Sequence, residues 1–113
     1  MSLLNAISVA RVVTIYYLIY HLLKSQINSM RITKYGHSCL YIEEGGARIL
    51  IEPGSYCFQD LPLKPEEIPV CDVVLLTHEH ADHTYPEALK IIIAKSNPLI
   101  VTNAGVAKVL KEN

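Results

Sequence analysis

Val73-Val74-Leu75-Leu76-Thr77-His78-Glu79-His80-Ala81-Asp82-His83 joins two unlike stretches with no break between them. The first four residues are continuously apolar, the pattern of a strand buried on both faces. Three histidines and an aspartate then fall within six residues. Open α/β sheets place their sites at the carboxyl ends of strands, and this cluster stands at such an end. Imidazole nitrogen and carboxylate oxygen suit zinc and related divalent ions. In a loop leaving a strand, alternate residues can face one way, so His78 and His80 can share one metal while Asp82 and His83 turn to a second. Two ions about 3.5–4 Å apart can share a hydroxide, which is nucleophilic at neutral pH because metal binding lowers the pKa of water to about 7. The competing reading is a set of unpaired surface histidines. Packed together without metal, however, these side chains would compete for hydrogen bonds and repel when protonated. Glu79 is not the glutamate of an H-E-x-x-H helix, because residue 82 is Asp. It is expected to point away from the metals.

Working outward, Val70 to Thr77 is the strand that delivers the cluster. Upstream, Arg31 to Tyr35 alternates, with Ile32 assigned to one face and Lys34 to the other. Ser38 to Glu43 forms a second strand, with Cys39 and Tyr41 opposite Leu40 and Ile42. Glu44-Gly45-Gly46 reads as a hairpin turn, because a Gly pair accepts positive φ at little cost. Arg48 to Glu52 is the third strand, stopped by Pro53-Gly54. A loop with Pro62, Pro65 and Pro69 follows, with one helical turn over Lys64–Ile68. Downstream, Pro86 to Lys95 predicts a helix with Pro86 in its first turn. Leu99 to Thr102 predicts another buried strand, and Asn103 caps a helix from Ala104 to Lys111. A β meander followed by β-loop-α-β-α argues for a mixed α/β (α+β) sheet with helices packed on it.

Two residues outside the cluster are candidates for the site. His37, in Gly36-His37-Ser38 at a strand junction, either faces the pocket or is satisfied in a turn. Glu52 either lines the site, orients a ligand, or is a strand-end charge. Tyr85 is assigned to packing rather than to a substrate.

The chain has 113 residues, half of them apolar, and a net charge of −1. That suits one small folded domain, with no electrostatic footprint for nucleic acid or an anionic membrane. Cys39, Cys57 and Cys71 are odd in number and lack C-x-x-C spacing. They read as reduced thiols of a cytoplasmic protein.

Residues 1–29 differ in character. Leu3 to Leu23 is largely apolar without Pro or Gly, and is expected to be helical. A membrane span is interrupted by Asn5, Arg11 and His21, and a signal peptide lacks its leading positive charge and small-residue cleavage site. The favoured reading is an upstream extension with Met30 as the natural start. A membrane anchor through residues 3–23, with membrane localisation, is the alternative. The domain itself is expected over residues 30–113.

Thr77-His78-Glu79-His80-Ala81-Asp82-His83 closely resembles the signature of the metallo-β-lactamase superfamily. Met30 to Leu40, Ile49-Leu50-Ile51-Glu52-Pro53-Gly54 and Val101 to Val106 resemble its branch of small metal-dependent hydrolases, which includes relatives of L-ascorbate-6-phosphate lactonase and the UPF0173-type hydrolases. The resemblance implies a four-layer αββα sandwich, of which these residues form about the first half. It implies that His78 and His80 bind a first metal, and Asp82 and His83 a second. Zinc is the expected ion, with manganese the alternative. The family usually has Asp where this chain has Glu52. Its later ligands (a further His, a bridging Asp and a last His) lie in the second half. No His follows His83 and no Asp follows Asp82, so the site is expected to be incomplete in this polypeptide. One sheet face is expected to be open to self-association or to a second half-domain, with the front segment covering part of it.

The leading function is hydrolysis of an ester, lactone or phosphoester bond in a small molecule, with Asp82 also handling protons. A non-catalytic fragment or subunit with a partial metal site is the second reading, and a metal-dependent nuclease the third. The lack of a basic stripe weighs against nucleic acid.

Overall fold

The computed structural model describes residues 9–26 and 29–113. Helix α1 spans Val9–Gln26. Strands β1 (Arg31–Gly36), β2 (Cys39–Glu44) and β3 (Ala47–Ile51) follow, then helix α2 (Ser55–Gln59) and a 3-10 turn (Pro65–Glu67). Strand β4 (Val73–Leu75), helix α3 (Pro86–Ser96), strand β5 (Leu99–Val101) and helix α4 (Ala104–Glu112) complete the order. The strands form one sheet in the order β1-β2-β3-β4-β5. The first three are antiparallel neighbours, and β4 and β5 join in parallel.

Local chemistry explains most of these boundaries. Gly45 and Gly46 have φ of +57° and +83°, as a two-residue hairpin loop requires, and they set Glu44 opposite Ala47. Pro86 opens α3, where a missing N–H costs nothing. Asn97 closes it in the left-handed region. The Asn103 side chain accepts from the Val106 N–H at 3.0 Å, capping α4 as expected. The short helix α2 falls in a stretch expected to be loop. With five residues it carries too little periodicity to be read from sequence.

The register sorts the sheet into two faces. Thr33, Tyr41, Leu50, Val74 and Ile100 lie in one cross-strand row. Tyr41, Leu50 and Val74 are buried there, together with Ala88, Leu89 and Ile92 of α3 and Val106 of α4. Tyr41 keeps its hydroxyl satisfied by donating to the Val70 carbonyl at 2.8 Å. Lys95 donates to the carbonyls of Glu66 and Ile68, tying α3 to the 3-10 turn. Cys39, Cys57 and Cys71 are free and buried in this core, as their reading as small apolar residues requires.

The opposite face carries Ile32, Ile42, Ile49, Val73 and Leu99 in one row, and Lys34, Leu40, Ile51, Leu75 and Val101 in the next. Two expectations are corrected here. Ile32 and Lys34 share a face, because side chains alternate with a period of two. The strands at Val73 and Leu99 are not buried on both sides: Leu99 is 65% exposed and Ile32 57%, since among the described residues no layer covers this face. Helix α1 does not cover it either, for Val9 through Lys24 are all exposed. Among the described residues no helix is long and apolar enough to cross a membrane. The expected start of the front helix at Leu3 lies outside the described residues.

Asp72 joins three strands. Its carboxylate accepts from the Arg48 N–H and from two guanidinium nitrogens at 2.8–3.1 Å, while its carbonyl accepts from the Leu99 N–H. The Arg48 hydrogen bonds hold the Asp72 carboxyl below its usual range.

Two outcomes follow for stability. Leu50→Ala should lower the unfolding free energy by about 2–5 kcal/mol, whereas Ile32→Ala should change it by about 0.5 kcal/mol or less; denaturant midpoints read both. The Asp72 contribution is present in full above the unfolded carboxylate pKa of about 3.9 and is lost as pH falls through the lower folded value. The midpoints of Asp72→Asn and wild type should therefore differ at neutral pH and converge at about pH 2.

Candidate metal centre

The end of β4 is fixed from three sides before the cluster begins. Leu76 donates its N–H to the Val101 carbonyl and accepts from the Thr102 hydroxyl. The Thr77 N–H donates to Glu52 Oε1 at 2.5 Å, and the Thr77 carbonyl accepts from Asn103 Nδ2. His80 to Thr84 then make a tight turn, in which the N–H groups of His83 and Thr84 both donate to the His80 carbonyl. The hydroxyl of buried Thr84 closes the turn on the His78 carbonyl at 2.8 Å.

The segment after β3 supports this turn from below. The Ser55 N–H donates to the Ala81 carbonyl at 2.8 Å. Gly54 lies so close to the turn that an added Cβ would stand 1.7 Å from the Asp82 carbonyl oxygen. Only glycine fits there.

Glu52 is the buried anchor of the site. It is 4% exposed and sits in the left-handed region at φ +52°. One oxygen takes the Thr77 N–H, and the other pairs with His83 Nδ1 at 2.5 Å. Because an ionised carboxylate only accepts, His83 Nδ1 carries the hydrogen. Its Nε2 is then turned to Asp82 Oδ2 at 3.3 Å. This pairing fixes one tautomer and leaves one nitrogen free, as ligand-orienting carboxylates do in metal sites.

His37, also left-handed at φ +45°, reaches over from the β1–β2 junction. Its Nε2 lies 2.9 Å from the same Asp82 oxygen. Its ring meets those of Tyr56 and His83 edge-on, with centroids 5.2 and 5.1 Å apart. The His78 ring lies 3.8 Å from that of His83 and 5.1 Å from that of His80. Burial works against the charge on Asp82. The hydrogen bond from His37 and attraction to His83 outweigh it, so the carboxyl lies below its usual range.

Among the described residues, three sets bring ligand atoms within 4.8 Å of one another: His78/His80/Asp82, His37/Asp82/His83 and Glu52/His78/His83. All six candidate residues thus meet at the carboxyl end of β4. Glu79 belongs to none of these sets, and its carboxylate lies against Gly105. Tyr85 stacks on Phe58 and joins the core periphery. Sequence reasoning missed the supports: Thr84, Ser55 and the close approach at Gly54. Each acts on the backbone of the turn, and motif spacing carries no signal for that.

Residues 31–112 match the family described as the beta-lactamase superfamily domain. The chain is similar to UPF0173 metal-dependent hydrolases. It is 39% identical to one from Korarchaeum cryptofilum over 62 residues, covering 55% of this chain and 28% of that protein. It is 41% identical to one from Chelativorans sp. over 81 residues, covering 69% and 33%. A crystallised protein from Parabacteroides distasonis, assigned as a metal-dependent hydrolase, superposes with a TM-score of 0.61 at 29% identity, over 73% of this chain and 34% of that one. The chain therefore spans about a third of the length of these proteins. The sheet with helices on one face corresponds to part of the expected sandwich. The matched span runs from β1 to α4 with the His/Asp cluster inside it, and the chain belongs to the beta-lactamase superfamily.

Proposed function

We propose that this chain carries part of the site of a metal-dependent hydrolase acting on an ester, lactone or phosphoester bond of a small molecule. The observation that carries the reading is the convergence of His78, His80, Asp82 and His83 at one strand end, with ligand atoms within 4.8 Å inside each set. The donor set of imidazole nitrogens and a carboxylate fits zinc, with manganese the alternative. When bound, such an ion supplies Lewis acidity, activating water at neutral pH and polarising the scissile bond. The chain's own residues do the rest. His78 and His80 would hold one ion, and Asp82 with His83 a second. Glu52 keeps His83 in one tautomer. Asp82, ionised well below neutral pH, is the group we assign to moving a proton. The named relatives support the metal-dependent class.

The short share of each relative that the chain covers favours a second reading, a subunit or part that holds metal without turning over substrate alone. In either case we assign residues 30–113 to the amino-terminal half of the domain and residues 1–29 to an extension before it. Three free, buried cysteines support a reducing, cytoplasmic setting. The apolar rows of the open face support association of this chain with itself there.

Metal analysis after zinc loading should find zinc in wild type and little in the His78→Ala/His80→Ala double variant. Glu52→Gln should stay folded and bind about 10–100-fold more weakly. A wild-type chain that holds no zinc contradicts the reading. Turnover of generic esters, lactones or phosphodiesters separates the enzyme from the non-catalytic part. In sedimentation, wild type should dimerise with concentration and Leu99→Lys should not. A monomer at all concentrations refutes self-association.

A further inference from the structure

We propose that His37 is itself a metal ligand, completing with Asp82 and His83 a three-residue site that this chain supplies alone. The proposal rests on the metal reading of the cluster and adds a residue that the His/Asp signature does not contain. His37 belongs to a different part of the chain, at the β1–β2 junction, 45 residues before Asp82.

Two imidazoles from separate parts of the chain meet at one carboxylate oxygen. His83 presents Nδ1 to Glu52 Oε2 and Nε2 to Asp82 Oδ2, 3.3 Å away, and His37 brings its Nε2 to that same Asp82 oxygen. Imidazole nitrogens gathered around a carboxylate oxygen are the donor set a divalent ion takes.

The distances suit a shared ion. With ligand bonds of about 2.0–2.2 Å, neighbouring ligands are about 3.3 Å apart around a tetrahedral ion and about 2.9 Å around an octahedral one. Asp82 Oδ2 lies 3.3 Å from His83 Nε2 and 2.9 Å from His37 Nε2. Both separations fall in the range of ligand–ligand edges, and the shorter one serves as a hydrogen bond when no ion is bound. The set as a whole lies within 4.8 Å.

The backbone also turns His37 toward the cluster. His37 holds φ at +45°, a region that residues other than Gly enter at a cost and that clusters at functional sites. The β1–β2 register slips between Lys34 and Gly36 just before it, and bulges of this kind re-aim side chains. The slip and the left-handed residue together carry the ring to Asp82.

The test is zinc titration of the metal-stripped full chain against a competing chelator, with X-ray absorption on the loaded protein. His37→Ala and His37→Asn should both weaken the least tightly held zinc by about tenfold or more, and absorption should count one imidazole fewer per chain. Tyr56→Phe, which alters a ring against His37 but no ligand atom, should titrate as wild type. Asn can keep a hydrogen bond to Asp82 without the imidazole. If His37→Asn binds as wild type while His37→Ala does not, His37 only positions Asp82 and the proposal falls. It falls equally if both variants bind unchanged, or if the imidazole count is unaltered. Wild type that takes up no zinc overturns the metal reading itself, a distinct failure.

Discussion

The Glu52 carboxylate couples the fold to the cluster. It ends β3, is buried, and divides its two oxygens between the Thr77 backbone and the His83 ring. A buried carboxylate is costly unless hydrogen-bonded, and these two contacts supply the partners. One consequence is structural: the ends of two parallel strands are tied where the ladder stops. The other is chemical, because His83 is left with a single nitrogen to offer. Removing the carboxylate would free both the strand end and the ring.

The remaining supports reach the same turn from independent elements. Gly54 admits the Asp82 backbone at a distance no side chain would allow. Ser55 holds Ala81, Thr84 holds His78, and Asn103 caps α4 while holding Thr77. The cluster is therefore positioned by contacts to its backbone from the segment after β3, from Thr84 and from the cap of α4, and its side chains stay free to face one another. Such preorganisation is what a metal site needs, since ligands must be held near their bonding geometry before the ion arrives. The sheet delivers this at one end while, among the described residues, one of its faces stays uncovered, with Leu99, Ile32 and Val101 exposed on it.

Much of this was legible in the residues. The apolar run Val73–Leu76 announced a strand, and the spacing of His78, His80, Asp82 and His83 announced candidate ligands at its end. The Gly45-Gly46 turn, Pro86 and the Asn103 cap followed from local backbone chemistry, and the structure bears them out. What was not legible depends on tertiary approach. Continuous hydrophobicity could not show that Val73 and Leu99 stand on an uncovered face, because the pattern is the same whether or not a layer packs there. Glu52 and His37 were readable only as alternatives, since a strand-end acid and a turn histidine look alike with or without a partner. The left-handed backbone at both positions decides where they point, and neither residue type signals that conformation strongly in sequence. Helix α2 was too short to register.

The central claim is that the end of β4 is a metal site built by residues of this chain. Diffraction from crystals soaked in zinc, recorded on both sides of the zinc absorption edge, tests it most directly. An anomalous peak is expected within bonding distance of His78, His80 and Asp82. Crystals that take up zinc elsewhere, with no peak among these side chains, would contradict it.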